Sequence, residues 1–491
     1  MSLPIATPVL DTKRGKRILM LLLAVAFLDF VDASIVNVAL PSIRADLGFN
    51  IRNLQWVLSG YLLTYGGLML LGGRASDLFG RRRLLVAGTV LFTVSSFAAG
   101  VAPNATVLIV ARLIQGAGAA MMIPAALSIL TTTFSAPGDR YRALGAWGAV
   151  GGLASAVGVF LGGVITDVVD WRWVFFVNLP AAALILRAIF RLVPADQNAG
   201  RRERLDVLGA VLVTAGMLLL VYTIVEAPDV GWGAARTIAG FAVAGGILAT
   251  FARYEARHPN PVFPFSIFRV KGLAAADVTM VTAMAGFYTM FLFITLYLQN
   301  VLGLSPLASG AAYLAPCFGV VISAGIATNL MPKVGTRPVI VAGSILGAGG
   351  IFWLSKIPVD GSYWSNVLPG LMVAALGVGS VLVGATTAAQ GGVPPDKAGL
   401  AAALINSSMW LGGALGVAIF TAVATSTTAG RLAERASQAE ALTAGFQDAL
   451  LLAAIFLAAA AVIALRSPNT HGEQAAQPVS EPTAAPATET A

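Results

Sequence analysis

The chain is expected to fold as an all-α polytopic membrane protein with about fourteen transmembrane helices, and three observations lead there. Hydrophobic residues fill 57% of its 491 positions and charged residues only 11%, far short of the roughly one quarter that a water-facing surface requires. Apolar runs of about twenty residues, long enough to cross about 30 Å of hydrocarbon, recur along most of the chain. The cations then sort by side: with the N-terminal tail in the cytosol, 23 of the 31 Lys and Arg fall inside, 7 outside, and Arg112 within a span. That bias sets the orientation. It also absorbs the net charge of +8, so the basic balance implies a lipid bilayer as partner and no nucleic acid.

The elements follow in order. Residues 1–17 form a cytoplasmic tail, with Lys13, Arg14, Lys16 and Arg17 just before the first apolar run at 18–40. That run is too long for a cleavable signal peptide and lacks a small-residue cleavage site. Further runs lie at 54–73, 84–102, 105–127, 142–165, 172–193, 206–226, 234–252, 273–298, 307–328, 337–356, 364–386, 400–425 and 446–466. An even count brings the C-terminus back to the cytosol. Basic connections at 187–204 and 253–271 divide the chain as six plus two plus six: an N-terminal bundle at 18–193, two extra helices with their flanking loops at 194–272, and a C-terminal bundle at 273–466. Residues 427–445 are polar and are expected outside as a loop or interfacial helix. The tail at 467–491, rich in Pro, Ala, Thr and Glu, is expected to be disordered and cytoplasmic. One cysteine, Cys317, excludes an internal disulfide.

Chemistry is sought where polar groups interrupt apolar helices, since each is costly there. The first span carries Asp29, Asp32 and Asn37. Asp29 and Asp32, three apart, share a helix face and repel when both are ionised, so one of them should hold a proton more tightly and both are candidates for proton coupling. Arg112 is the single basic residue inside a span; a buried guanidinium needs an anionic or carbonyl partner. At about 1.5 Å per residue, Asp32 lies about 12 Å below Leu40 and Arg112 about 12 Å below Asn104. The two are therefore level, although a purely structural Arg112 stays open. Gln115 lies one turn beyond it. In the fifth span Gly151, Gly158, Gly162 and Gly163 are spaced for close helix approach or bending. Asn37, Gln115, Phe287, Tyr288, Phe291, Tyr297, Asn406 and Trp410 are candidates for a substrate cavity; the aromatic ones fit a core or a lipid-facing surface as well. No Cys/His metal spacing and no nucleotide-binding loop is present, so neither a metal nor another cofactor is expected.

Between the second and third runs, Gly73 and Asp77 precede Gly80, Arg81, Arg82 and Arg83. Gly80 permits a tight turn, Asp77 can cap or pair at a helix end, and the arginines can meet carboxylates, helix C-termini or lipid phosphates. A positive-inside loop with no further role would look the same on charge alone. The loop Lys333-Val-Gly335-Thr-Arg337 is a faint echo of 78–82 in the second half.

Five stretches carry a family resemblance. Gly73-x-x-x-Asp77-x-x-Gly80-Arg81-Arg82-Arg83 resembles the loop between the second and third helices of the major facilitator superfamily, with Ala75 and Leu78 departing from its usual Leu and Arg. The stretch 28–41 resembles the first-helix motif of fourteen-span drug:proton antiporters, in which Asp32 matches the motif aspartate and Asp29 has no counterpart. Arg112-Leu-Ile-Gln115-Gly116-Ala-Gly118-Ala resembles the fourth-helix motif, whose arginine takes part in proton transfer. Gly158-Val159-Phe-Leu161-Gly162-Gly163 resembles the antiporter signature with Val159 in place of its proline, and 171–180 resembles Trp-Arg-Trp-x-Phe-x-x-Asn-x-Pro. The resemblance implies a major facilitator fold, a proton-coupling role for Asp32 and Arg112, and a cytoplasmic gate at Gly73, Asp77, Gly80 and the three arginines. It implies a monomer in the cell membrane, exchanging protons for a lipophilic small molecule, driven by the proton gradient and not an enzyme. Export of one endogenous metabolite, peptide or lipid competes with that reading, as does a non-transporting sensor. An output domain would favour the sensor, and none is visible in the sequence.

Overall fold

The computed structural model describes residues 9–134, 137–195, 206–258, 261, 265–270, 272–391, 393 and 398–470, and for Asp77 and several other helical positions the backbone alone. The 196–205 connection and the tail from 471 onward lie outside the described residues. Among the described residues every regular element is helical. In chain order they are α1 (Lys13–Leu47), α2 (Ile51–Leu54), α3 (Trp56–Phe79), α4 (Arg81–Gly100), α5 (Ala105–Thr133), α6 (Pro137–Val168), α7 (Trp173–Phe176), α8 (Asn178–Leu192), α9 (Val207–Val230) and α10 (Ala235–Glu255). Then come α11 (Leu273–Asn300), α12 (Pro306–Ala312), α13 (Leu314–Val334), α14 (Thr336–Leu354), α15 (Leu368–Gln390), α16 (Ala398–Ala433) and α17 (Gln438–Ala464).

Thirteen of these, with α7–α8 and α12–α13 each counted as one, are long and apolar enough to cross a membrane. A further, shorter apolar stretch, Leu153–Val168, lies in α6. Helix ends are set by local chemistry. Thr12 accepts from the Gly15 N–H at 2.9 Å to start α1, and Gly48, at φ +67°, closes it in the left-handed region that glycine tolerates. Asn104 starts α5 by accepting from Val107 N–H at 3.0 Å.

Two seams join the two ends of the chain: α6 runs against α12 and α13, and α3 runs against α16. Both need glycine. A Cβ on Gly163 would sit 2.6 Å from the Pro306 carbonyl oxygen, and one on Gly310 would sit 2.7 Å from that of Val159. Gly158 and Gly162 face the other way, onto Ser34 and Ile35 of α1. All three antiporter-like glycines therefore sit at close helix crossings. The hairpin α9–α10 leans on α3 and α16 through α9, while α10 is largely exposed, as an outer helix facing lipid would be.

Three sequence expectations are adjusted. Residues 427–445 are not a loop: α16 continues to Ala433 and α17 begins at Gln438, with Ser437 and Glu440 closing a reciprocal capping box. Their charges are spaced for helix faces, and Arg431 pairs with Glu434 at 3.4 Å. The first residues of the tail are tied to α14 by hydrogen bonds. Pro468 O accepts from Thr336 Oγ1 at 2.8 Å, Asn469 Oδ1 from Arg337 N–H at 3.0 Å, and Thr470 O from Thr336 N–H at 3.0 Å. Finally, the faint echo between loops has a structural basis. Gly80 at φ +102° and Gly335 at φ +87° each form the whole connection between two consecutive helices.

Candidate functional site

Asp32 is wholly buried midway along α1, and three donors from two other helices, α5 and α8, converge on it. Arg112 of α5 donates Nη1–H to Asp32 Oδ2 at 2.7 Å. Gln115, one turn on, donates Nε2–H to Asp32 Oδ1 at 2.8 Å, and its own Oε1 accepts from Arg112 Nη1 at 2.8 Å. Asn178, the first residue of α8, donates Nδ2–H to the same Oδ1 at 2.7 Å. The level depths of Asp32 and Arg112 inferred from rise per residue thus become direct contact. Arg112 is held further by the Val57 carbonyl at 3.0 Å from Nε and by the Tyr61 ring, 4.1 Å from the guanidinium carbon. A buried pair of this kind survives only with its remaining polar atoms satisfied, and most are.

Asp29, also fully buried, lives in different company. Tyr61 donates to Asp29 Oδ1 at 2.9 Å and Tyr65 to Oδ2 at 2.8 Å. Both tyrosines come from one face of α3, four residues apart. Tyr65 in turn stacks on Trp410 of α16 with centroids 4.4 Å apart, and Trp410 is flanked by Tyr288 of α11 at 5.9 Å and Phe30 at 6.5 Å. Trp410 thus reaches from the second half of the chain into the first, ending one side chain away from Asp29.

The other candidates divide. Tyr288 lies in this aromatic group, with Phe287 and Phe291 following along α11 in edge-to-face pairs at 6.1 Å and 4.9 Å. Tyr297 is buried elsewhere and donates to the Pro358 carbonyl at 2.5 Å. Asn37 donates to the Ala33 and Ser34 carbonyls of its own helix at 3.2 Å and 3.3 Å, and Asn406 to Ala402 at 2.8 Å. Gln115 is committed to the ion pair. At the α3–α4 turn, Gly80 takes its positive φ, Gly73 lies near Pro124, and Arg82 reaches the Phe190 carbonyl at 3.4 Å and the Phe190 ring at 5.3 Å. Arg81 and Arg83 begin α4. The Asp77 side chain lies outside the described residues. Among the described residues no cluster of His, Cys, Asp and Glu could hold a metal ion.

Sequence reasoning missed Tyr61, Tyr65 and Ser96 and did not single out Asn178. Two tyrosines at i and i+4 in an apolar span were the available signal, because a buried hydroxyl needs a partner.

The Major Facilitator Superfamily pattern matches residues 22–417. The chain belongs to this superfamily. It is 37% identical over 430 residues to the puromycin resistance protein pur8 of Streptomyces alboniger, covering 87% of this chain and 85% of that one. It is also 37% identical over 443 residues to the cephamycin export protein CmcT of Amycolatopsis lactamdurans, with 89% of each covered. The multidrug resistance protein Stp of Mycobacterium tuberculosis is 34% identical over 397 residues, 81% of this chain and 73% of that one. In fold, the chain is similar to a bacterial homolog of the lysosomal transporter Spinster in an inward-facing conformation, with a TM-score of 0.63, 15% identity, and 92% and 97% of the two chains covered. It is likewise similar to inward-open XylE from E. coli, at a TM-score of 0.60, 15% identity, and 93% and 97% covered. The protein is a multi-pass membrane transporter of the superfamily.

Proposed function

We infer that this transporter exports lipophilic small molecules, antibiotics among them, in exchange for protons. The observation that carries the reading is the fully buried Asp32–Arg112 pair at 2.7 Å. A proton added to Asp32 removes the charge that holds Arg112, Gln115 and Asn178 together, so one protonation event loosens the joint between α1, α5 and α8. In the proposed cycle Asp32 takes a proton from outside and gives it up to the cytosol as substrate moves the other way. Arg112 stabilises the deprotonated state, and the Gly80 loop, with Asp77 and Arg81 to Arg83, acts as the cytoplasmic latch. The aromatic surface of Tyr288, Phe287, Phe291 and Trp410 offers an apolar, polarizable lining able to accept ligands of several shapes. The relatives named for resistance or export support the same class.

The remaining organisation belongs to the same reading: a monomer with both termini in the cytosol, bundles at 18–193 and 273–466, and the α9–α10 hairpin inserted between them. Val159, standing where the signature has proline, does not change the direction, because glycines at 158, 162 and 163 already let α6 follow α1 and α12 closely. Export of a single compound is the second reading, favoured by two relatives named for one compound or compound class.

Everted membrane vesicles test the central claim. With an inside-acid gradient, a lipophilic fluorescent substrate should accumulate and protons should leave. Accumulation only in right-side-out vesicles, with protons moving inward alongside, would reverse the assignment to uptake. Growth protection in a pump-deficient host across unrelated toxic compounds would separate the two readings, since a single-compound exporter protects against one chemical class.

A further inference from the structure

The geometry points to Asn178 as a positioning residue that reads the protonation state of Asp32 and passes it to the break between α7 and α8. This rests on the proton-coupled reading above and deepens it. Asn178 Nδ2 donates both to Asp32 Oδ1 at 2.7 Å and to Ser96 Oγ of α4 at 3.0 Å. The Ser96 hydroxyl hydrogen is already given to the Phe175 carbonyl, at 2.9 Å, so Ser96 can only accept from Asn178. The amide nitrogen, not its oxygen, must therefore face both groups. An amide oxygen set against a carboxylate at that distance would repel it.

The other end of the amide is the telling part. Asn178 Oδ1 is buried and has no hydrogen-bond partner among the described residues, a costly state that asks for an explanation. The set around Asp32 supplies one. As a carboxylate, Asp32 accepts from Arg112, Gln115 and Asn178, and every group facing it is a donor. As an acid it carries one O–H and needs an acceptor. Arg112 has none to offer, and Gln115 turns its Nε2 to Asp32 while its Oε1 points at Arg112 Nη1. A half-turn of the Asn178 amide brings Oδ1 to the position of Nδ2, where it accepts from the Asp32 O–H. Ser96 must then turn its hydroxyl toward Asn178 and release Phe175. Gain of one proton on Asp32 is thus converted into loss of one hydrogen bond at the carbonyl of Phe175, one residue before the end of α7, whose ring lies 5.9 Å from the Arg112 guanidinium. No bond breaks other than hydrogen bonds, and the proton remains on Asp32.

The charged or titratable groups near Asp32 are Arg112 from α5, Asp29 one turn back on α1, and Tyr61 from α3, whose ring sits on Arg112. Asn178 and Ser96, from α8 and α4, do not titrate. A pH effect of changing either one therefore reports on Asp32 through hydrogen bonding.

The test is the pH dependence of proton-driven efflux in everted vesicles for the parent, Asn178→Leu, Ser96→Ala and Asp32→Asn, each normalised to folded protein. Asn178→Leu keeps the shape while removing donor and acceptor. It should leave KM within about threefold, lower the maximal rate about tenfold, and move the pH profile upward by about one unit, because a donor to the anionic form is lost. Ser96→Ala should move it the same way by a smaller step, and it serves where Asn178→Leu does not fold. An unshifted profile in either folded variant overturns the assignment of Asn178. If Asp32→Asn itself transports with normal proton exchange, the proton-coupled reading fails; if Asp32→Asn is inactive while Asn178→Leu keeps the parent profile, only the present inference does.

Discussion

Asp29 and Asp32 differ by less than one turn of the same helix, yet nothing that touches one carboxylate's oxygens touches the other's. Asp32 faces a guanidinium and two amides, all from the first half of the chain. Asp29 faces two phenols, and through Tyr65 it reaches Trp410 of the second half. Residue type and full burial are the same; the neighbours are not. In the proposed cycle Asp32 is the acid that alternates between charged and neutral forms against Arg112. Asp29 is tied through Tyr65 to Trp410 and so to the contact between the two halves. Tyr61 bridges the pair, with its hydroxyl on Asp29 and its ring 4.1 Å from Arg112.

The largest effect should come from neutralising each acid in turn. Asp32→Asn is expected to reduce proton-driven transport in vesicles at least about a hundredfold, as loss of an essential proton carrier does, with normal expression. Asp29→Asn should cost no more than about tenfold and should alter KM for bulky substrates more than proton release per cycle. Equal losses of proton release would erase the distinction and point to one proton shared by a coupled pair.

Stability sharpens the comparison next. Arg112→Met leaves Asp32 buried without its counter-charge and should cost about 3–5 kcal/mol, read as a drop in melting temperature of the detergent-purified protein. Adding Asp32→Leu should restore most of that loss while transport stays absent. Arg112→Met combined with Asp29→Leu should recover nothing. Recovery there would mean that Arg112 serves both acids.

Much of this was legible before any coordinates. Length and apolarity indicated helical spans, because a bilayer allows few ways to satisfy backbone groups, and the motif stretches carried the resemblance to the superfamily. Asp32 and Arg112 could be matched by depth, since both sit on straight helices of known rise. What stayed hidden was set by helix rotation and by contacts between distant spans. Asn178 was visible in its motif, but its approach to Asp32 depends on how α8 turns after the break at Val177. Tyr61 and Tyr65 look like ordinary aromatic residues of a membrane span until α1 and α3 are placed together. Tyr297 and Asn406 looked as suitable for a cavity as Tyr288, and only packing separates them.

The two phenols can be told apart as well. Tyr65→Phe and Tyr61→Phe each remove one donor to Asp29 and should change transport by about threefold or less, in keeping with about 1 kcal/mol for a single hydrogen bond. Tyr61→Ala should do more, because it also removes the ring from Arg112, an interaction worth about 2 kcal/mol when desolvated. Its pH profile should shift, and that of Tyr61→Phe should hardly move. If Tyr61→Phe already shifts the profile as far as Tyr61→Ala, the two acids are linked through the hydroxyl and the division between their surroundings is weaker than drawn.

The smallest effect is expected at the third polar residue of the same helix. Asn37 follows Asp32 by five residues, about 7.5 Å along the axis and about 140° around it, so it faces neither carboxylate pocket. Its amide donates only to the Ala33 and Ser34 carbonyls of α1. Such backbonding satisfies a buried side chain locally without tying it to another helix. Asn37→Ala removes the polar group and its need for a partner together, and removing both is close to neutral. Vesicle transport and melting temperature should therefore stay within about twofold and a few degrees of the parent. A loss of tenfold or more, with the fold intact, would show that Asn37 turns toward substrate or proton at another point of the cycle. The contrast between the surroundings of Asp29 and Asp32 would then have to admit a third polar member of α1.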